Sequence, residues 1–169
     1  MSTLNARRRT VLALAAAMMV ASCQMVPDAR FTSAQRAVLA KHGFEKVGGR
    51  YLLGINNRLL FPFDSSEIDP VQRDMLRDLA RELAGVGIGS ASIEGHSSSE
   101  GDAQHNLRLS ERRAGAVRDA LAIGGLDRAR MGVRGVGALD PVASNDDEAG
   151  RRQNRRVVII VTPLDTLAW

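Results

Sequence analysis

The sequence contains one cysteine, Cys23, so no disulfide framework can form within it. Aromatic residues make up only 4% of the chain, and no interleaved aromatic and basic motif of the RNA-binding kind is present. The longest apolar run, Val11 to Ala21, spans 11 residues, whereas a helix needs roughly 20 to cross a bilayer. A Gly-x-Ser-x-Gly elbow is missing, which removes the usual signature of a serine hydrolase. So are paired histidines at helical i, i+4 spacing, which removes a helical zinc site. Internal repeats and low-complexity tracts are absent as well, so the chain is read as one domain with a leader.

What is present begins with Arg7, Arg8 and Arg9 ahead of the short apolar run, which ends in small residues before Cys23. This is the charged region, apolar region and junction of a secretory signal covering residues 1–22. Val20-Ala21-Ser22-Cys23 looks like a bacterial lipobox, in which the cysteine thiol is acylated after cleavage. Cys23 is therefore the expected lipidation site, with palmitate-type chains, and a plain signal peptide with a leftover cysteine is the competing reading. By resemblance to bacterial lipoproteins, Gln24 after the cysteine directs the protein to the outer membrane, facing the periplasm. Arg8-Arg9 is compatible with either general secretory or twin-arginine export. Losing these three arginines takes the formal net charge from +4 to +1, so the basic pI gives no reason to expect nucleic acid as a partner.

Residues 23–55 read as a lipid-anchored leader. Thr32 or Ser33 caps a short helix over 34–42, with Ala37, Val38 and Lys41 at helical spacing and Gly43 as its stop. Phe44–Gly49 and Arg50–Ile55 read as a hairpin around Gly48-Gly49. The main domain spans 56–169 and opens with an expected strand at Arg58–Phe63. Asp69 as cap, Pro70 at the first helical position and Gln72 as a capping-box partner start a helix. Val71, Met75, Leu76, Leu79, Ala80 and Leu83 form its stripe, and Gly85 ends it. Ala91, Ile93 and Gly95 alternate as a strand. Leu109, Ala114, Val117 and Leu121 mark a second helix stopping at Gly124-Gly125, and Met131, Val133 and Val136 mark a third strand. Gly137–Gly150 reads as a loop. The β-branched run Val157–Val161 is a strand buried on both faces or lying centrally. The expected class is α/β: a βαβαββ two-layer α+β sandwich with two main helices on one face of a small mixed sheet.

The polar loop after Gly95 holds His96, Ser97, Ser98, Ser99, Glu100 and Asp102, with His105 and Asn106 behind it. A hydrolase would use His96 as base with a serine beside it, but sequence neighbours rarely meet in triad geometry. A metal site would recruit His96, Glu100, Asp102 and His105, whose spacing lacks the paired i, i+4 histidines of a helical zinc site. The reading adopted is no enzyme, no metal and no cofactor, with His96 a structural side chain near a strand end.

Gly95-His96-Ser97-Ser98, Asn106, Leu109-Ser110-Glu111-Arg112-Arg113-Ala114, Gly135-Val136-Gly137 with Pro141, Ala143 and Asn145, and Gly150-Arg151 through Asn154-Arg155-Arg156-Val157 form a spaced series. Over roughly residues 56–162 the series resembles the peptidoglycan-binding domain of the OmpA and Pal family, and Phe63-Asp64-Ser65 resembles its opening strand. The resemblance implies a groove for the diaminopimelate-type stem peptide of peptidoglycan. In such a groove an acidic side chain takes the ammonium and an arginine fork takes the carboxylate.

Carried over residue by residue, the binding candidates are Asp64, Ser66, Ser97, Ser98, Asn106, Arg113, Arg155 and Arg156. Ser97 stands where the family has threonine. Ser98 stands where it has the aspartate, and losing that charge-assisted contact costs ~1.5–3 kcal/mol, about 10- to 150-fold in affinity. Glu100 or Asp102 could supply the missing carboxylate. Asp64 and Ser66 fit either the groove or a turn that ends a strand. Arg113 also fits a solvated or ion-paired role on its arginine-rich helix, and by alternation only one of Arg155 and Arg156 shares a face with Val157. The resemblance thus implies an outer-membrane lipoprotein that binds peptidoglycan non-covalently and tethers the membrane to the wall. The alternative is a degenerate domain without wall affinity that serves as a protein-interaction or envelope-assembly part.

Overall fold

The computed structural model describes residues 31–56, 61 and 64–163. The signal reading of residues 1–22, the lipidation of Cys23 and most of the expected strand at 58–63 lie outside these. In chain order the elements are α1 (Ser33–Lys41), β1 (Glu45–Val47), β2 (Arg50–Asn56), α2 (Pro70–Gly85), β3 (Ser92–His96), α3 (Ala103–Ile123), β4 (Gly132–Gly137), α4 (Glu148–Asn154) and β5 (Arg156–Val161). The strands form one sheet in the order β1-β2-β5-β3-β4. Among the described residues only β3 and β4 run parallel; the other pairings are antiparallel. The expected mixed sheet is therefore present.

The last strand of the chain is central in the sheet. β5 pairs with β2 on one side and β3 on the other, and Val157, Ile159 and Val161 are each fully buried. These three project toward the helices, where they join Leu76, Leu79 and Leu83 of α2 and Val117 and Leu121 of α3 in one core. Val71 and Met75, expected on the α2 stripe, are instead exposed at 71% and 52%. The buried face of α2 instead runs through Leu76, Leu79, Ala80 and Leu83. The Asp69 cap accepts from the Val71 N–H at 2.9 Å, and among the described residues no contact from Gln72 completes a capping box. Asp69 is thus a simple cap in which Pro70 supplies the fixed φ.

α1 is held by a capping box in which Thr32 Oγ1 accepts from Gln35 N–H and Gln35 Oε1 accepts from Thr32 N–H. Its buried residues are Gln35 and Leu39, and Val38 packs half-buried against the core, whereas Ala37 and Lys41 are exposed. The stripe is shifted because Gln35 reaches across to donate to the Val86 carbonyl at 3.1 Å, fixing which side of α1 faces α2. The hairpin forms as expected, with both turn glycines at positive φ (55° and 80°). Its second strand pairs with β5 from Tyr51 to Asn56, and Phe31 meets Tyr51 edge-on at 5.1 Å. Residues 31–56 thus share one sheet and one core with the main domain. The boundary expected at 55/56 falls within β2.

α3 lies unusually close to β3 and β4. A Cβ built on Gly95 would stand 2.0 Å from the Ser110 carbonyl oxygen, and one on Gly135 would stand 2.6 Å from that of Leu107. This close approach seats the start of α3 over the ends of β3 and β4.

Candidate functional site

The loop from Ser97 to Asp102, the first turns of α3, the segment around Asp64 and the end of α4 enclose a cleft of about 660 Å³. Local chemistry shapes its rim. Gly101 takes a positive φ of 82°, and Asp102 caps α3 by accepting from His105 N–H at 2.7 Å. Asn106 Nδ2 donates to the Glu100 carbonyl at 2.6 Å, closing the loop on the helix. Opposite, Asp64 adopts φ 51° and its carboxylate lies 2.9 Å from His105 Nε2.

Of the charged residues that line the cleft, Arg113 is the buried one. It is only 7% exposed, its Nε donates to the Ser65 carbonyl at 2.8 Å, and its Cζ stands 5.2 Å from the Phe61 ring centroid. Burial pushes its guanidinium below the ordinary arginine value, and the Asp64 charge acts in the opposite direction; it remains cationic. Its terminal nitrogens have no hydrogen-bond partner among the described residues, so a buried fork of donors is presented to the cleft.

Ser98 is 4% exposed and its Oγ accepts from Arg155 Nη1 at 3.3 Å. The same guanidinium pairs with Glu100 at 3.4 Å and with Glu148. Arg151 in turn bridges Glu100 and Glu148, each at 3.2 Å. Two guanidiniums and two carboxylates thus interlock at the rim. Hydrogen bonding from Arg155, followed by that from Arg151, holds the Glu148 carboxyl below its ordinary value of 4.5. A carboxylate depressed in the folded state adds stability at pH values above its unfolded pKa and loses it as pH falls through the folded one. Glu82 is depressed in the same way, first by Lys41 and then by His42. The melting temperature is therefore expected to fall as pH drops from about 5 to about 3, and the fall should be shallower in a Glu82→Gln, Glu148→Gln double variant. Parallel slopes for the two proteins in thermal melts would refute the assignment.

Of the eight binding candidates, the structure brings Asp64, Ser97, Ser98, Asn106, Arg113 and Arg155 to the cleft. It does not bring Ser66 or Arg156. Ser66 lines a separate depression with Arg73 and Ala120, because the turn at Asp64 sends the chain away from the cleft before position 66. Arg156 opens β5 on the side opposite Val157 and donates to the Asp140 carbonyl at 3.3 Å. Arg155, the residue that ends α4, points into the cleft, whereas Arg156 begins β5 and does not. His96, beside Glu94 at 3.8 Å, is 2% exposed and does not line the cleft. Among the described residues no group of three His, Cys, Asp or Glu side chains could hold a metal.

Asn154 was not among the candidates, yet it ties the segment before α4 to the loop that lines the cleft. Fully buried, its Oδ1 accepts from Val142 N–H at 2.9 Å and Ala143 N–H at 3.1 Å. Its Nδ2 donates to the Ala143 carbonyl at 2.8 Å and to Asn145 Oδ1 at 3.0 Å. Asn145 Oδ1 also accepts from Ser99 N–H at 3.2 Å, so the chain of bonds ends in the Ser98 loop. Asn154→Ala is expected to cost about 2 kcal/mol or more by leaving backbone groups unpaired. A melting temperature equal to that of the parent would refute this role.

The OmpA family model matches residues 60–155. The chain belongs to the OmpA family. Among OmpA-family relatives, it is 39% identical over 143 residues to the outer-membrane lipoprotein YfiB of Pseudomonas aeruginosa, covering 84% of this chain and 85% of that one. It is 31% identical to the peptidoglycan-associated lipoprotein of Agrobacterium fabrum, covering 92% and 89%. Among solved structures, the cell wall anchor of the T6SS from Pseudomonas aeruginosa superimposes with a TM-score of 0.62 at 28% identity, covering 75% of this chain and 92% of that one. No described helix is long and apolar enough to cross a membrane.

Proposed function

We propose that this OmpA-family chain is an outer-membrane lipoprotein, anchored through Cys23 and facing the periplasm, whose cleft binds the stem peptide of peptidoglycan non-covalently. It thereby ties the membrane to the wall without turnover. The observation that carries this reading is the buried Arg113 fork, held at Nε by Ser65 and at its face by Phe61 while its terminal nitrogens meet no acceptor among the described residues. A desolvated guanidinium with open donors is a carboxylate receptor, and the diaminopimelate unit ends in a carboxylate. The relatives named for the outer membrane, for peptidoglycan and for the cell wall support the same reading. Confinement to a membrane surface lets even a modest affinity act through high local concentration.

Co-sedimentation with purified sacculi tests the proposal: the protein is expected in the pellet. Its absence at low salt would favour a domain that has lost wall affinity and serves envelope assembly through protein contacts. Ser98→Asp gives a second check, because it restores a carboxylate where an ammonium would be received. Affinity for a stem peptide with a free diaminopimelate amine should rise about tenfold. Arg155 shares the new charge, yet a carboxylate has lone pairs for both partners. Unchanged or weaker binding would count against placing that amine at position 98.

A further inference from the structure

Among the described residues, each carboxylate of the cleft already has a partner, and none is hydrogen-bonded to Ser98. Glu100 and Glu148 are engaged by Arg151 and Arg155, Asp64 by His105, and Asp102 by the His105 N–H it caps. At the buried Ser98, the charged group hydrogen-bonded to Oγ is the Arg155 guanidinium, at 3.3 Å. The Arg113 guanidinium is close enough for Arg155 to destabilise its charge. An ammonium brought to Ser98 would lose part of its water, find no carboxylate hydrogen-bonded to that side chain, and stand beside the Arg155 cation.

A neutral amide fits the same place. Ser98 Oγ retains a lone pair for an amide N–H, and its hydroxyl proton has no acceptor among the described residues, so it is free for an amide carbonyl. Ser97 adds a second hydroxyl at the cleft, buried and without a hydrogen-bond partner among the described residues. The carboxylate requirement is unaffected, since Arg113 keeps its open donors.

Resting on the stem-peptide reading above, we infer that this cleft recognises diaminopimelate through its carboxylate and an acylated side-chain nitrogen, and so accepts stem peptides whose amine is already joined in a cross-link. A carboxylate-bearing residue with its amine acylated is the ligand class; a free amine confers no advantage.

The test compares two synthetic stem tripeptides ending in diaminopimelate, one with a free side-chain amine and one with that amine acetylated, by isothermal titration of the full-length protein. The acetylated peptide is expected to bind as tightly as the free-amine peptide or more tightly. A free-amine preference of about threefold or more would overturn the inference while leaving the wall-binding reading intact. In Ser98→Asp the order should reverse, with the free amine favoured about tenfold; an unchanged order would equally overturn it. If the native protein binds neither peptide and does not sediment with sacculi, the wall-binding reading itself fails and the inference falls with it.

Discussion

Arg113→Ala is expected to abolish retention on sacculi and to weaken stem-peptide binding by about 2–5 kcal/mol, roughly 30- to 5,000-fold. The size follows from burial: at 7% exposure the guanidinium meets a carboxylate with little competing water, and truncation leaves that carboxylate desolvated without a partner. Arg113→Lys separates charge from geometry. A lysine keeps the cation but lacks the planar fork and cannot satisfy the Ser65 carbonyl and a ligand together, so it should recover only part of the affinity. The core cluster does not include Arg113, and both variants should still show a cooperative melt. Native-like sedimentation of Arg113→Ala would remove the carboxylate grip from the account.

Gly95→Ala is expected to cost about 3 kcal/mol or more. The new methyl would stand 2.0 Å from the Ser110 carbonyl oxygen and 2.6 Å from its carbon, and both belong to helix backbone that cannot turn aside. Relief requires α3 to lift off β3, which unseats Leu109, Ala114 and Val117 and carries Arg113 with them. Gly115→Ala is the matched control. This glycine lies in α3 itself, and a methyl there would meet nothing within 4 Å, so the substitution should stabilise by about 0.5–1 kcal/mol through helix propensity. Melting temperatures should thus move in opposite directions. A neutral Gly95→Ala would show that α3 does not pack as closely as described.

The parts of this fold that could be read from the sequence are those set by local periodicity and caps. The β5 run announced a central strand because Val157 to Val161 has no polar position to turn outward, and Thr32, Asp69 and the paired glycines of the hairpin marked ends correctly. α4 was hidden. Its seven residues carry little apolar pattern, and Asp147 accepting from Gly150 N–H at 2.7 Å looks, in sequence, like one more turn residue among Asn145, Asp146 and Glu148. The helix is secured from outside by Asn154, whose partners lie 9 to 12 positions away.

The site was legible to the same extent. Motif spacing brought Ser97, Ser98, Asn106 and Arg113 to one cleft, because they flank a single strand-to-helix loop. The separation of Asp64 from Ser66 depends on a non-glycine residue at φ 51°, which composition does not signal. Alternation showed that Arg155 and Arg156 part company, but not which one enters the cleft; that depends on α4, which ends at Arg155 just before β5 begins. The interlocked Glu100, Glu148, Arg151 and Arg155 were unreadable for a related reason, since Glu100 lies far from the others in sequence and meets them only once α4 exists.

The most direct test is a crystal structure of the protein soaked with a diaminopimelate-containing stem-peptide fragment. The account predicts a ligand carboxylate within hydrogen-bonding distance of both terminal nitrogens of Arg113, with the side-chain nitrogen of diaminopimelate beside Ser98. A fragment bound elsewhere on the surface, or an Arg113 fork occupied by a protein carboxylate in the loaded crystal, would contradict it.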